Sequence, residues 1–147
     1  MIIKVLAENT AIREEFGAEH GLSFSIETSM HKLLFDMGAS SLFAENAKRL
    51  DVDLAEVDLA ILSHGHYDHG GGLRTFLEHN QRAPVYVHRE AFGWHYSQRE
   101  NGELKYIGLD QSLADNPRLA FVGEHIVLDE ELELFAGVKG ERLLPTG

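Results

Sequence analysis

The feature that most constrains this chain is a histidine-rich segment directly after a short apolar run. The run Leu59–Leu62 (LAIL) is followed by SHGHYDH and then by three glycines. A continuous apolar run of this kind is typical of a strand covered on both faces. Residues at i and i+2 of an extended segment lie on the same side, so His64 and His66 are predicted to converge. The fold must therefore present two imidazoles just beyond the end of a buried strand.

The other polar residues of this segment complete a candidate metal site. Asp68 has the same parity as the two histidines, whereas His69 breaks it and predicts a turn that brings its ring alongside. Neutral imidazoles and a carboxylate suit zinc and related divalent ions. His64 and His66 are predicted to hold one ion, and Asp68 and His69 a second ion roughly 3.5–4 Å away. The glycines at 70–72 would let the backbone turn sharply and a ligand approach closely.

The rest of the chain predicts an α/β fold with a mixed sheet in a single domain of 147 residues. The hydrophobic patterns predict strands at 2–7, 22–28, 32–35, 59–62, 84–88, 119–122 and 125–135, helices at 41–50 and 73–77, and a single helical turn at 53–56. A turn at 29–31 would join two of these strands into a hairpin, which makes the sheet mixed. The segment 91–116 gives no clear pattern.

Composition excludes several classes of function. The net charge is −11 and no basic stripe is present, which argues against nucleic acid and anionic lipid. Cysteine is absent, so thiolate zinc sites and disulfides are excluded. The sequence has neither a signal-peptide pattern nor an apolar run near the ~18 residues of a membrane span. We therefore expect a cytoplasmic protein that acts on a small molecule, with no nucleic-acid or membrane partner. The helix predicted after the histidines would favour an anionic group on that molecule.

The segment His64–His69 (HGHYDH) resembles the HxHxDH signature of the metallo-β-lactamase superfamily. That resemblance implies an αβ/βα sandwich, usually with two metal ions, and hydrolysis of esters, amides, thioesters or phosphodiesters. It also implies that the histidines and Asp68 bind the metal and that Asp68 accepts the proton of the nucleophile. A di-iron branch of the superfamily has glutamate where this chain has His66. The resemblance therefore favours zinc, with manganese or iron as alternatives.

Further segments extend the resemblance. LLFDMGAS (33–40) is similar to the strand and Asp-x-Gly element that precedes the signature, which implies that Asp36 orients a metal ligand. The order of EHGLSFSIET, FDMGAS, LSHGHYDHGGGL and PVYVH is similar to a branch of dihydropterin-related synthases that act on a ribofuranosyl-aminobenzene phosphate. His20, in the first of these segments, either lines the substrate pocket or is a solvated turn residue.

The metal site implied by the resemblance is incomplete within these residues. Members of the superfamily take a third histidine, a bridging aspartate and a last histidine from a second half, which this chain lacks. We therefore expect a truncated domain over 1–147, the N-terminal half of the sandwich. Three explanations stay open: a fragment of a longer protein, a homodimer that shares ligands, or an inactive relative.

Two functions remain under consideration. The first is a metal-dependent hydrolase that uses a metal-activated water on an ester- or phosphoester-like molecule, with a dihydropterin-linked synthase as a variant. The second is a metal-binding or interaction module without turnover, because two protein ligands alone hold zinc weakly.

Overall fold

A mixed β-sheet of six strands runs through residues 1–137, the part of the chain that this computed structural model describes. The strands in chain order are β1 (Ile2–Ala7), β2 (Ser23–Glu27), β3 (Lys32–Phe35), β4 (Leu59–Leu62), β5 (Val85–His88), β6 (Tyr96–Gln98), β7 (Leu104–Tyr106), β8 (Leu119–Val122), β9 (His125–Val127) and β10 (Glu133–Phe135). The order across the sheet is β1-β2-β3-β4-β5-β8. The first three strands are antiparallel, and β3, β4, β5 and β8 are parallel. The remaining strands form the hairpins β6-β7 and β9-β10.

Helices and short helical turns connect the parallel strands. They are α1 (Leu42–Arg49), α2 (Tyr67–Gly70), α3 (Leu73–His79) and 3-10 turns at Leu54–Glu56 and Gln111–Leu113. Basic residues Lys48 and Arg49 lie in the last turn of α1, where they interact favourably with the helix dipole. Asp53 caps the first 3-10 turn by accepting a hydrogen bond from the N–H of Ala55 at 2.9 Å.

The core lies between one face of the sheet and the helices. Leu34, Ala60 and Val85 are neighbours across β3, β4 and β5, and all three are fully buried. They belong to one apolar cluster with Phe43 of α1 and Phe76 of α3. Burying an apolar side chain of this size contributes about 1.5–3 kcal/mol to stability. This packing fixes the positions of the strand ends, where the histidine segment begins.

The opposite face of the sheet carries a row of larger apolar residues. Phe24, Phe35, Ile61 and Tyr86 are paired in register across β2 to β5 and are half-buried. A cavity of about 270 Å³ separates part of this row from Leu134 and other residues of β10. The hairpin β9-β10 therefore lies beside this face without filling the space over it.

The expected α/β fold with a mixed sheet is confirmed. The strands predicted at 2–7, 32–35, 59–62 and 119–122 coincide with β1, β3, β4 and β8, and the region 125–135 forms a hairpin. The segment 91–116, which lacked a pattern, contains β6, β7 and the second 3-10 turn. The predicted domain 1–147 includes residues 138–147, which lie outside the described range. No helix formed by residues 1–137 has the length and apolar character needed to cross a membrane.

Close packing, and not the expected sharp turn, explains the glycines at 71 and 72. Gly71 has φ −62 and Gly72 has φ −79, both accessible to any residue, so the run is not needed for a sharp turn. A Cβ on Gly71 would lie 2.2 Å from the carbonyl oxygen of Ala39, and a Cβ on Gly72 would lie 2.2 Å from that of Met37. Glycine is required because this segment packs directly against the backbone of residues 37–39.

Replacing Gly71 with alanine tests this explanation. The new methyl group would overlap the carbonyl oxygens of Ala39 and Tyr67, and backbone atoms cannot move aside cheaply. We expect Gly71→Ala to lower the free energy of unfolding by about 1–3 kcal/mol, measured by urea denaturation. Gly123→Ala is the control, because its Cβ would meet only the terminal atoms of the Arg89 side chain. Equal stability of the two variants would contradict the packing explanation.

Candidate metal centre

The histidine segment begins directly after β4 and changes conformation within a few residues. His66 is extended, with φ −98 and ψ 149, and α2 begins at the next residue. The carbonyl oxygen of His66 accepts hydrogen bonds from the N–H groups of His69 at 3.2 Å and Gly70 at 3.0 Å. An extended stretch followed by one helical turn is the arrangement that the residue parity predicts. It brings His69 back towards His64.

The rings of three histidines meet at this end of the sheet. The ring centroids of His64 and His66 are 4.6 Å apart, and those of His64 and His69 are 4.2 Å apart. Two imidazoles bound tetrahedrally to one zinc ion, at a Zn–N distance of 2.0–2.1 Å, have centroids about 5 Å apart. The spacing and chemistry of these rings therefore fit a divalent metal. Within residues 1–137, however, no three His, Asp or Glu side chains form a ready coordination set.

The environment of His64 favours its neutral form. Burial lowers the pKa of His64, and the neighbouring rings of His69 and His66 lower it further. A neutral imidazole is the form that binds a metal ion. The crowding of the rings thus favours the protonation state that coordination requires.

Asp36 is linked by hydrogen bonds to two of the three histidine rings, directly to His69 and through Ser63 to His64. Its carboxylate is fully buried, and Oδ2 accepts a hydrogen bond from His69 Nδ1 at 2.7 Å. Asp36 Oδ1 accepts a hydrogen bond from the backbone N–H of Ser63, and Oδ2 accepts a second one from the Ser63 hydroxyl, each at 2.7 Å. Ser63 Oγ in turn lies 2.9 Å from Nδ1 of His64. The hydroxyl proton of Ser63 is donated to Asp36, so Nδ1 of His64 donates to Ser63 Oγ, just as Nδ1 of His69 donates to Asp36. Nε2 of each ring therefore keeps the lone pair that a metal ion can bind.

Asp68 and His20 lie together at the edge of the cluster. Asp68 Oδ2 is 3.7 Å from His69 Nε2 and 3.3 Å from His20 Nε2. The Asp68 side chain is 15% exposed and that of His20 is 72% exposed. The backbone N–H of Leu22 donates to the carbonyl oxygen of Asp68 at 3.3 Å, which ties the His20 loop to α2. The structure brings His20 to the candidate site, and its function in binding substrate stays a prediction.

His95 is a member of the cluster to which the sequence analysis gave no function. Its ring centroid is 5.4 Å from that of His66, and its Nε2 is buried without a hydrogen-bond partner within residues 1–137. His95 lies in the segment without a secondary-structure pattern, so no local signal connects it to the HGHYDH motif. The contact arises because the chain after β5 folds back over Gly65.

An open cavity of about 680 Å³ adjoins the histidine cluster. This volume is within the range of small-molecule sites. Histidine and glycine residues of the cluster form one wall, and Arg89 is a basic residue that faces the cavity. The lining residues are Ser63, His64, Gly65, His88, Arg89, Glu90, Ala91, His95, Gly123, Glu124, Ala136 and Gly137.

The anionic group was expected at the start of the helix predicted at 73–77, which corresponds to α3, and that expectation stays a prediction. A shorter helix, α2, precedes α3. The N–H of Tyr67, the first residue of α2, donates to the carbonyl oxygen of Ile107 at 2.9 Å. The group is therefore already paired, and the four-residue helix contributes less to anion binding than a free terminus would. An anionic substrate stays a prediction that rests on other groups of the cavity.

Comparison with known proteins places this geometry in a family. Residues 17–147 match the family model described as the metallo-beta-lactamase superfamily. Over 115 residues the chain is 36% identical to an uncharacterized protein of Methanocaldococcus jannaschii, covering 78% of this chain and 43% of the relative. Over 100 residues it is 37% identical to the 7,8-dihydropterin-6-methyl-4-(beta-D-ribofuranosyl)-aminobenzene-5'-phosphate synthase of the same organism, covering 61% of this chain and 33% of the synthase.

Solved structures show the same fold. The crystal structure of Tm1679, a metal-dependent hydrolase of the beta-lactamase superfamily, matches with a TM-score of 0.69 and 30% identity. That match covers 90% of this chain and 46% of Tm1679. A quorum-quenching N-acyl homoserine lactone lactonase matches in fold, with a TM-score of 0.57 and 18% identity, over 78% of this chain and 49% of the lactonase.

The chain spans less than half the length of each of these relatives. Its sheet and helices correspond to about half of the fold that the solved structures contain. The resemblance of the sequence motifs to the superfamily, and to its dihydropterin-related branch, is confirmed. The chain belongs to the metallo-β-lactamase superfamily.

Proposed function

We propose that this chain provides the metal-binding part of a hydrolase that acts on an ester- or phosphoester-like small molecule through a dinuclear, zinc-type centre. One observation carries the proposal: the buried Asp36 carboxylate holds His69 directly and His64 through Ser63, so that both rings face one cluster. Such a network orients metal ligands and fixes their tautomers. Membership of the superfamily supports the same conclusion.

Each predicted site residue has a distinct task in this proposal. His64 and His66 hold one ion, and Asp68 and His69 hold the second. Two bound divalent ions supply Lewis acidity and lower the pKa of water. Asp68 would also accept the proton of the nucleophile, and its Oδ2 lies 3.7 Å from His69 Nε2 and 3.3 Å from His20 Nε2. His20 then contacts the substrate from the outer edge.

The cavity beside His64 supports a substrate of small-molecule size. Arg89 lines this space together with the carboxylates of Glu90 and Glu124, so a positive charge for an anionic substituent is present at one part of the wall only. The synthase of Methanocaldococcus jannaschii that resembles this chain is named for a dihydropterin joined to a ribofuranosyl-aminobenzene 5'-phosphate, so a dihydropterin-linked synthase is a variant of the proposal. Assays with a pterin-type and a simple phosphodiester substrate distinguish the two.

A second candidate is a metal-binding or interaction module without turnover. Two observations favour this candidate. Residues 1–137 lack a ready set of three metal ligands, and the chain spans less than half the length of its relatives. Further ligands would then come from another chain segment or from a second copy in a homodimer. The half-buried row of Phe24, Phe35, Ile61 and Tyr86 offers such a copy an apolar surface.

Zinc content and hydrolysis of a generic substrate test the proposal. We expect about two zinc ions per active unit by elemental analysis, together with hydrolysis of a chromogenic phosphodiester or ester. Mutating a residue that hydrogen-bonds a metal ligand typically lowers metal affinity by roughly 10–100-fold. His66→Ala should lower zinc affinity by more than this, because it removes a ligand itself. His79→Ala, which changes an exposed histidine of α3, is the control.

The outcomes separate the two functions. Wild-type protein that retains no zinc after incubation with the ion would refute the metal centre. Zinc that binds and depends on His66, without any hydrolysis, would favour the module.

Asp36→Asn tests the network behind the rings. The amide has the shape of the carboxylate but lacks its charge, so it holds the Nδ1 proton of His69 less strongly. We expect zinc affinity to fall by about 10–100-fold, measured by competition with a chromophoric chelator. Asp53→Asn is the matched control, since asparagine caps a helical turn as well as aspartate does. A folded Asp36→Asn protein with unchanged affinity would show that Asp36 does not orient a ligand.

A further inference from the structure

His95 contains a buried polar atom that the site described so far does not use. Its Nε2 is inaccessible to solvent and has no hydrogen-bond partner within residues 1–137. Buried nitrogens without a partner are rare in folded proteins because losing hydration without a replacement is costly. A donor that can reach this atom after a small side-chain rotation would satisfy it.

The ring of His66 is close enough to be that partner. The two ring centroids are 5.4 Å apart and the ring planes are inclined by 78°. Two imidazoles joined by a near-linear N–H···N hydrogen bond of about 3 Å have centroids about 5.3 Å apart. The observed spacing of 5.4 Å matches this value, so the bond requires only that a nitrogen of each ring turns towards the other ring.

His66 is also the histidine of the cluster that lacks such support. Nδ1 of His69 is bonded to Asp36, and Nδ1 of His64 lies 2.9 Å from Ser63 Oγ. In the described part of the chain, no corresponding side-chain partner holds the ring of His66. Metal-binding histidines almost always donate their second ring N–H to another group. His66 is therefore the one ring of the three without a hydrogen-bond partner for its second nitrogen in the described residues, and His95 lies beside it.

The backbone holds His95 in place against the histidine segment. Its carbonyl oxygen accepts a hydrogen bond from the N–H of Ile107 at 2.9 Å, and the carbonyl oxygen of Ile107 accepts one from Tyr67 at 2.9 Å. A Cβ on Gly65 would lie 1.9 Å from the carbonyl oxygen of Ala91 and 2.8 Å from His95 Nε2. The loop therefore packs on Gly65 as closely as glycine allows, which keeps His95 beside His66.

We propose that His95 is a positioning residue for His66. Its Nε2 accepts a hydrogen bond from one ring nitrogen of His66, which fixes the tautomer and the orientation of the ring and directs the other nitrogen to the metal. This inference rests on the proposed metal centre, in which His66 is a ligand. It assigns to the loop after β5 the support that Asp36 and Ser63 give to the other two rings.

Nitrogen-15 NMR of the histidine rings tests the inference directly. In metal-free protein, a two-bond ¹⁵N–¹H spectrum is expected to show His66 in one tautomer and His95 Nε2 without a proton. In His95→Phe, the ring of His66 should exchange between its two tautomers. A mixed tautomer of His66 in the wild type would overturn the proposal. Because this spectrum needs no metal, it gives an answer even if the protein proves not to bind zinc.

Zinc affinity provides the second measurement. We expect His95→Phe to weaken zinc binding by about 10–100-fold, and His95→Gln, which retains an acceptor, to recover most of the loss. The control is His125→Phe, since His125 is an exposed residue that pairs with Glu133. Equal losses in His95→Phe and His95→Gln would indicate that His95 only fills space. If zinc moves the His95 Nε2 signal to the position typical of a metal-bound ring nitrogen, His95 is a ligand, which would also overturn the proposal.

Discussion

The buried carboxylate of Asp36 is the interaction on which the candidate site depends. A buried negative charge is tolerated only when hydrogen bonds replace its hydration. Here the backbone N–H and hydroxyl of Ser63 and the Nδ1 of His69 supply three such bonds. Asp36 follows β3 and Ser63 follows β4, and these strands are parallel neighbours. The sheet topology therefore brings the carboxylate and the histidine segment together at one edge.

The backbone reinforces this pairing. Asp36 has φ 56, a conformation that costs energy in a residue with a side chain, and its N–H donates to the carbonyl oxygen of Ile61 at 2.9 Å. The N–H of Met37 donates to the carbonyl oxygen of His69 at 2.7 Å, and the N–H of Gly71 donates to the carbonyl oxygen of Gly38 at 2.9 Å. The turn after β3 and the helical turn of the histidine segment thus form one unit. The close contact explains why side chains are excluded at Gly71 and Gly72.

The sequence predicted the arrangement of residues that are close together in the chain. The parity of His64, His66 and Asp68 follows from an extended backbone, and the apolar run before them identified β4. The position of Asp36 came from resemblance, since 27 residues separate it from Ser63 and no periodicity connects them. His95 was missed for the same reason, because its contact with His66 depends on how an irregular loop folds over Gly65. The glycines were recognised as necessary, but the packing that requires them involves another segment.

The histidine rings lie outside the apolar core. The core lies between the sheet and the helices, whereas the rings lie beyond the C-terminal end of β4 and are partly exposed. In this chain Asp36 and Ser63 already orient two rings, which reduces the rotational freedom that coordination must remove. Within residues 1–137 no three metal-binding side chains form a ready coordination set. The ring of His66 has no hydrogen bond to Asp36 or Ser63, so its orientation depends on its contact with His95 in the loop after β5.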